Sequence, residues 1–206
     1  MTGGYSTPTV WIVDDDPQVL KAQARLLREH GFRTTAFPSA EAFLAGHDPT
    51  QRGCLVLDVG LPGLDGLALH RHLSEAGVAL PTVFVTGTGD IPMSVKAIKA
   101  GALDFLTKPV AAADLLAAVR AAIDEDARAH SARGERGAIR QRYAALSTRE
   151  REVLAGLVAG KLNKQIAAEL GIAEATVKFH RARLMDRMGA RTVAELMHLA
   201  ARLDGP

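Results

Sequence analysis

Five polar side chains stand where apolar runs stop. Asp14 and Asp15 follow Thr9–Val13, Asp58 closes the run from Cys54, Thr86 closes the run from Thr82, and Lys108 follows Leu103–Thr107. Carboxylates gathered at one spot repel each other unless a cation neutralises them, and oxygen-only donors select hard ions such as magnesium or manganese. Magnesium keeps several waters and takes one or two carboxylates plus phosphate oxygens, which leaves one aspartate free as a nucleophile toward phosphorus. Phosphoryl transfer also needs positive charge and hydrogen-bond donors on the equatorial oxygens; the Lys108 ammonium and the Thr86 hydroxyl are of the right types. Taken singly, Asp58 is as well read as a turn residue, Thr86 as a strand-end cap and Lys108 as a solvated lysine. Their common place at the ends of β-prone runs is what favours chemistry.

The elements that must bring them together alternate. Thr9–Val13 is a strand, and Asp16 before Pro17 reads as an N-cap opening a helix that stops at Gly31. Phe32–Phe37 gives a second strand, Pro38 and Ser39 cap a helix through Ala45, and Cys54–Asp58 reads as a strand buried on both faces. Asp65 caps a helix over Gly66–Ala76, Thr82–Thr86 is a fourth strand, and a helix is expected from Ile91 to Ala100. Leu103–Thr107 is a fifth strand, followed by an alanine-rich helix over Ala111–Ile123. Parallel strands need crossover connections, so this alternation implies a doubly wound α/β fold with a five-stranded parallel sheet. In the strand order 2-1-3-4-5, ligands bind where the order reverses, between the carboxyl ends of strands 1 and 3. Those ends carry Asp14, Asp15 and Asp58.

Composition agrees with a two-domain globular chain. There are 206 residues, 48% apolar and 23% charged, with no apolar run of the roughly 18 residues that a membrane span needs. Met1–Ser6 has neither a basic nor an apolar stretch, so residues 1–8 are expected to be a short disordered tail. Cys54 is the only cysteine, which excludes an internal disulfide and a cysteine-built zinc site and suits a reducing cytoplasm. The net charge of +2 is uneven. Residues 1–123 hold ten Lys and Arg against twelve acids, whereas residues 140–191 hold eleven against five, which raises nucleic-acid binding for the second half.

Residues 9–123 are thus expected to form the first domain, 124–142 a helical linker and 143–206 a second domain. The linker is charged and broken by Gly134 and Gly137, with helix at its start continuing the preceding one. Ser147 and Glu150 form a capping box for a helix that Gly160 ends, Asn163 caps a helix over Lys164–Leu170, and Gly171 turns the chain into a third helix that runs to Met188. Thr192–Leu203 completes a small all-α four-helix domain. Two helices joined by a tight glycine turn are a helix-turn-helix, whose second helix enters the major groove. At 100° per residue, Val177, His180, Leu184 and Met188 face inward, while Ala175, Lys178, Phe179, Ala182, Arg183 and Asp186 face outward. Lys178 and Arg183 are therefore assigned to DNA, Phe179 to thymine methyls, and Ala182 to close approach. Arg181, Arg187, Arg191, Lys161 and Lys164 are assigned to phosphates, and Thr176 completes the expected DNA contacts.

The acidic and basic motifs resemble a known family. Asp14-Asp15, Asp58 with Pro62 and Gly66, Thr86-Gly87 and Lys108-Pro109 resemble the receiver domain of bacterial two-component response regulators. The segments Thr86–Met93 and Lys99–Pro109 further resemble its FixJ-type branch. Leu146–Glu152, Asn163–Ala167, Gly171-Ile172, Thr176–Lys178 and His180 resemble the LuxR-type helix-turn-helix domain. The resemblance implies Asp58 as phosphoacceptor, with Asp15, Asp14 through water, and the Gly60 carbonyl as magnesium ligands. It implies Lys108 against the phosphoryl group, a cis Lys108–Pro109 bond, and Thr86 and Phe105 as the switch pair. A sensor histidine kinase, promoter DNA and RNA polymerase are the implied partners, with homodimerisation on phosphorylation through the fourth receiver helix and fifth strand, where Met93, Val95, Ile98 and Lys99 lie. The implied activity is transcriptional regulation, by activation, without enzymatic turnover beyond the receiver's own phosphoryl transfer and dephosphorylation. Three positions depart from the pattern: Gly60 and Thr88, which flank the path of attacking water, and Ala173, where a capping serine is usual. Two rival readings are a phosphorylation-independent DNA-binding regulator that uses the receiver for dimerisation, and a magnesium-dependent phosphohydrolase.

Overall fold

In a computed structural model, the protein is described over residues 7–87 and 101–203, and its contacts cluster into two units that divide between Ala129 and His130. Residues 1–6 of the expected tail, the helix over Ile91–Ala100, Thr88 and the expected dimer face at Met93, Val95, Ile98 and Lys99 lie outside the described residues.

Unit 1 holds a sheet of β1 (Thr9–Val13), β2 (Arg33–Phe37), β3 (Gly53–Asp58), β4 (Thr82–Thr86) and β5 (Asp104–Thr107) in the order β2-β1-β3-β4-β5. Every pairing is parallel, with Thr9 opposite both Arg33 and Gly53, Leu55 opposite Thr82, and Val83 opposite Asp104. The doubly wound fold and the strand order 2-1-3-4-5 are those expected. Because successive strand residues point to opposite faces, β1, β3 and β4 supply two cores at once. Val10, Ile12, Val56 and Val85 pack with Leu27 of α1 (Pro17–Glu29) and Leu115 and Val119 of α4 (Ala112–Ala144). Trp11, Leu55, Leu57 and Phe84 pack on the other face with Phe43 of α2 (Ala40–Gly46) and Leu69 of α3 (Gly66–Glu75). Each fully buried large side chain contributes about 1.5–3 kcal/mol, so this double burial fixes the strand ends firmly.

The caps follow the sequence reading. Asp16 accepts from the Gln18 amide with Pro17 in the first turn, Ser39 from the Ala42 amide and Asp65 from the Ala68 amide. Glycine is required at position 66 for a steric reason. A Cβ there would stand 2.2 Å from the Asp58 carbonyl oxygen, because the chain doubles back so that the Gly66 amide donates to Val59 O at 3.1 Å.

Unit 2 packs α5 (Thr148–Val158), α6 (Asn163–Leu170), α7 (Glu174–Met188) and α8 (Val193–Ala201) around Val153, Leu157, Ile166, Val177, Leu184, Met188 and Leu196. Ser147 and Glu150 form the expected capping box, and Gly171 sits in the left-handed region at φ 64°, which turns α6 into α7. Three local readings are corrected. Gly134 and Gly137 do not break the chain: α4 is continuous to Ala144, since two glycines costing about 1 kcal/mol each are outweighed by an Ala-, Arg- and Glu-rich surrounding. Asn163 does not cap α6, whose N-cap is Leu162; the Leu162 amide donates to Gln165 Oε1, and the Asn163 amide oxygen accepts instead from Arg181. His180 is only half-buried, because the inward stripe of α7 is Val177, Leu184 and Met188 and His180 falls at its edge.

Candidate functional site

The carboxyl ends of β1 and β3 place three aspartates together. One carboxylate oxygen from each of Asp14, Asp15 and Asp58 lies within 4.8 Å of the others. Their surroundings differ. Asp14 is 1% exposed and held twice: its Oδ1 accepts from the Asp16 amide at 3.0 Å and its Oδ2 from Lys108 Nζ at 2.7 Å. Asp58 is 6% exposed and pairs with Lys108 Nζ at 3.4 Å. Asp15 is exposed.

Lys108 is delivered by the turn after β5. Its backbone amide donates to Thr86 O at 2.7 Å, which ties the ends of β4 and β5, and its bond to Pro109 is cis, as the resemblance implies. Burial holds the Asp58 carboxyl above the usual carboxylate range; Lys108 pulls it back, Asp14 pushes it further up, and a Gly60 amide hydrogen bond pulls it down again. Burial also opposes the charge on Lys108, but the hydrogen bond and charge of Asp14, followed by those of Asp58, outweigh it and hold the ammonium above its ordinary value. The site is a negative cluster short of positive charge, and Lys108 is shared between two of its members.

Thr86 is buried at the end of β4. Phe105 lies opposite Phe84 in the strand register and packs, partly buried, against the core on the α2 and α3 face. At Gly60 an added Cβ would find only Asp58 Oδ2, 3.7 Å away, so the space beside the carboxylate is open there. The loop between has one support that no sequence signal announces: Glu41 Oε1 on α2 accepts from the Leu64 amide at 3.3 Å.

On unit 2, the residues assigned to DNA divide. Phe179 is 56% exposed, Lys178, Ala182, Arg183 and Lys164 are exposed, and Thr176 is half-buried. Several cations have protein partners. Lys161 Nζ donates to both Glu169 oxygens at 2.7 Å, Lys178 pairs with Glu174 at 3.2 Å, and Arg181 donates to Asn163 at 3.2 Å. Arg187 Nη1 donates to the Ala145 carbonyl at 2.8 Å and to buried Glu150 at 3.1 Å, so it joins α7 to the start of α5. Arg191 is exposed, and its amide donates to Glu195. The capping box was legible, but the Arg187 tie to it spans 37 positions and leaves no local mark. Ala173 occupies the N-cap of α7 with no side-chain bond, as its residue type requires.

Residues 10–120 match the response regulator receiver domain and residues 144–200 the bacterial regulatory proteins of the luxR family. A receiver sheet with an acidic cluster at its carboxyl end, followed by a helix-turn-helix unit, defines a response regulator acting on DNA. The chain belongs to the two-component response regulators with a LuxR-type DNA-binding domain. It is similar to the response regulator protein TmoT of Ectopseudomonas mendocina, 45% identical over 94% of this chain and 88% of that one. It is 40% identical to the transcriptional regulatory protein FixJ of Rhizobium meliloti over 93% of this chain and 94% of that one. Among solved structures, the response regulator StyR matches with a TM-score of 0.84 and 43% identity, covering 96% of this chain and all of that one.

Proposed function

We propose that Asp58 is the phosphoacceptor through which a sensor histidine kinase controls promoter binding by the second unit. The observation that carries this reading is the pairing of a buried Asp58 with both Lys108 and a second buried aspartate at one strand end. The donor set is three carboxylates and no nitrogen or sulfur, which fits a hard divalent cation. Asp14, Asp15, Asp58 and the Gly60 carbonyl would hold magnesium or manganese, which would offset the charge between carboxylate and incoming phosphoryl group. The chain's own residues do the rest. An Asp58 carboxylate oxygen bonds to phosphorus as the phosphohistidine P–N bond breaks, and the electron pair stays on the imidazole nitrogen. Lys108 exchanges part of its Asp14 contact for a phosphoryl oxygen, and the Thr86 hydroxyl donates to another. A cavity of about 580 Å³ between α1 and the start of α4, lined by Val19, Leu26, Lys108 and Val110, opens beside this site and is where the kinase presents its phosphohistidine.

Phe105 follows Thr86 inward, and the receiver dimerises. Two copies then bind a pseudopalindromic promoter in the cytoplasm and recruit RNA polymerase as an activator. The boundaries at 9–123, 124–142 and 143–206 are part of this reading. The deciding experiment is genome-wide footprinting with and without a small phosphodonor, for the wild type and Asp58→Asn. The expected outcome is promoter protection that needs the phosphodonor and vanishes in the variant. Equal protection in all four samples would sink the phosphorylation switch and favour the receiver as a dimerisation module.

A further inference from the structure

We propose that Phe179 and Arg183 act as one composite base reader, which selects a thymine–adenine pair next to a guanine–cytosine pair in each half-site. The inference rests on the reading of α7 as the recognition helix and adds what that helix recognises. Phe179 and Arg183 are four residues apart, hence on one face, and the Arg183 guanidinium carbon lies 5.4 Å from the Phe179 ring centroid. Contact with the aromatic face restrains a long, rotamer-rich side chain before any DNA arrives, so less freedom is lost on binding.

The other arginines of α7 point elsewhere. Arg181 is bonded to Asn163, and Arg187 to Glu150 and the Ala145 carbonyl. Lys178, nearest in sequence, is paired with Glu174. Among the described residues Arg183 has no hydrogen bond or ion pair; its charge acts on Glu150 only through space. Its donors are available, in a planar fork that matches the O6 and N7 acceptors of guanine. Phe179 is the most exposed aromatic ring of unit 2, 56% exposed, with the half-buried His180 ring edge-on to it at 5.5 Å. The thymine C5-methyl is the apolar group that a major groove offers to such a ring. Because the two side chains touch each other, the bases they meet are neighbours, and Ala182 between them adds no bulk to hold the helix away.

The test uses the full-length protein with magnesium and a small phosphodonor. Bound duplexes are first enriched from a random pool. Dissociation constants are then measured for the enriched duplex, for one with uracil in place of the thymine, and for one with 7-deazaguanine in place of the guanine. For the wild type, the enriched half-site contains adjacent thymine and guanine. Removing the methyl weakens binding roughly fourfold, the weight of one buried methyl, and removing N7 weakens it about fivefold or more. Phe179→Ala loses both penalties, because the arginine loses its orientation. Phe179→Leu keeps the uracil penalty and loses the 7-deazaguanine one. Wild-type binding indifferent to uracil, or a 7-deazaguanine penalty undiminished in Phe179→Ala, overturns the composite reader while leaving DNA recognition standing. Failure to enrich any sequence overturns the DNA reading itself, and the inference with it.

Discussion

The carboxylate site and the recognition helix use charge in opposite ways. At the strand ends, two buried carboxylates are forced together beside an exposed third, and one lysine serves the buried pair at 2.7 and 3.4 Å. On α7 and its neighbours, positive groups are spread over an exposed surface, and glutamates or an asparagine engage Lys161, Lys178 and Arg181 singly. Buried charges are costly to unpair, whereas exposed pairs contribute little and exchange partners readily. The first arrangement suits a site that must respond strongly to one added group. The second suits a surface that trades protein partners for phosphates at small cost.

Four variants test this contrast. Gly66→Ala should have the largest effect, since its Cβ meets backbone rather than a flexible side chain; about 3 kcal/mol of urea stability should be lost, and phosphoryl uptake from acetyl phosphate with it. Lys108→Ala leaves Asp14 and Asp58 without their shared cation. Because Lys108 is itself partly exposed, the loss should be about 2 kcal/mol rather than that of a fully buried pair, with phosphoryl uptake slowed beyond detection in the same assay.

Glu150→Gln should cost unit 2 about 1 kcal/mol in thermal unfolding, with phosphorylation unchanged. Burial works to raise the Glu150 carboxyl, but Ser147 hydrogen bonds and then the Arg187 and Arg183 charges outweigh it and hold the group below its ordinary value of 4.5. Its stabilisation is therefore complete above that value and is lost as pH falls through the lower folded value, so the variant should show a shallower acid decline. Asp58 has the opposite sign: its raised carboxyl stabilises only below the ordinary carboxylate range and costs stability at neutral pH. If the two sites behaved alike in an acid titration, the contrast drawn above would fail. Lys161→Ala should do least, changing stability by a few tenths of a kcal/mol and lowering the salt slope of DNA binding by about one.

The alternation of apolar runs was enough to read a parallel sheet with helices on both faces, because parallel strands must be joined by crossovers; the order 2-1-3-4-5 came from the doubly wound arrangement such sheets adopt, not from the alternation. Asp14, Asp15 and Asp58 were legible as a cluster for the same reason: topology brings those strand ends together. What sequence did not disclose are contacts whose partners are far apart and chemically ordinary. Glu41 reaching the Leu64 amide, Arg52 pairing with buried Asp126 at 3.0 Å, and Arg187 finding Glu150 all depend on how helices pack. Asn163 misled because an asparagine before a helix resembles a cap, whereas here a nearby arginine competes for its oxygen. Gly134 and Gly137 misled because a penalty was read as a prohibition.

Those two glycines have a kinetic consequence for α4. Both are exposed, and an added Cβ at either would touch nothing within 4 Å, so no packing holds the backbone at these positions. Opening the helix at the glycines themselves gives up hydrogen bonds but no side-chain packing, although Glu135 between them is paired with Arg202, and glycine gains the most freedom on release. The amides around residues 134–137 should exchange with solvent sooner than those near Val119, and a protease probing brief openings should cut there first. Alanine at both positions would delay both clocks by the same factor, without altering a single contact in the folded chain.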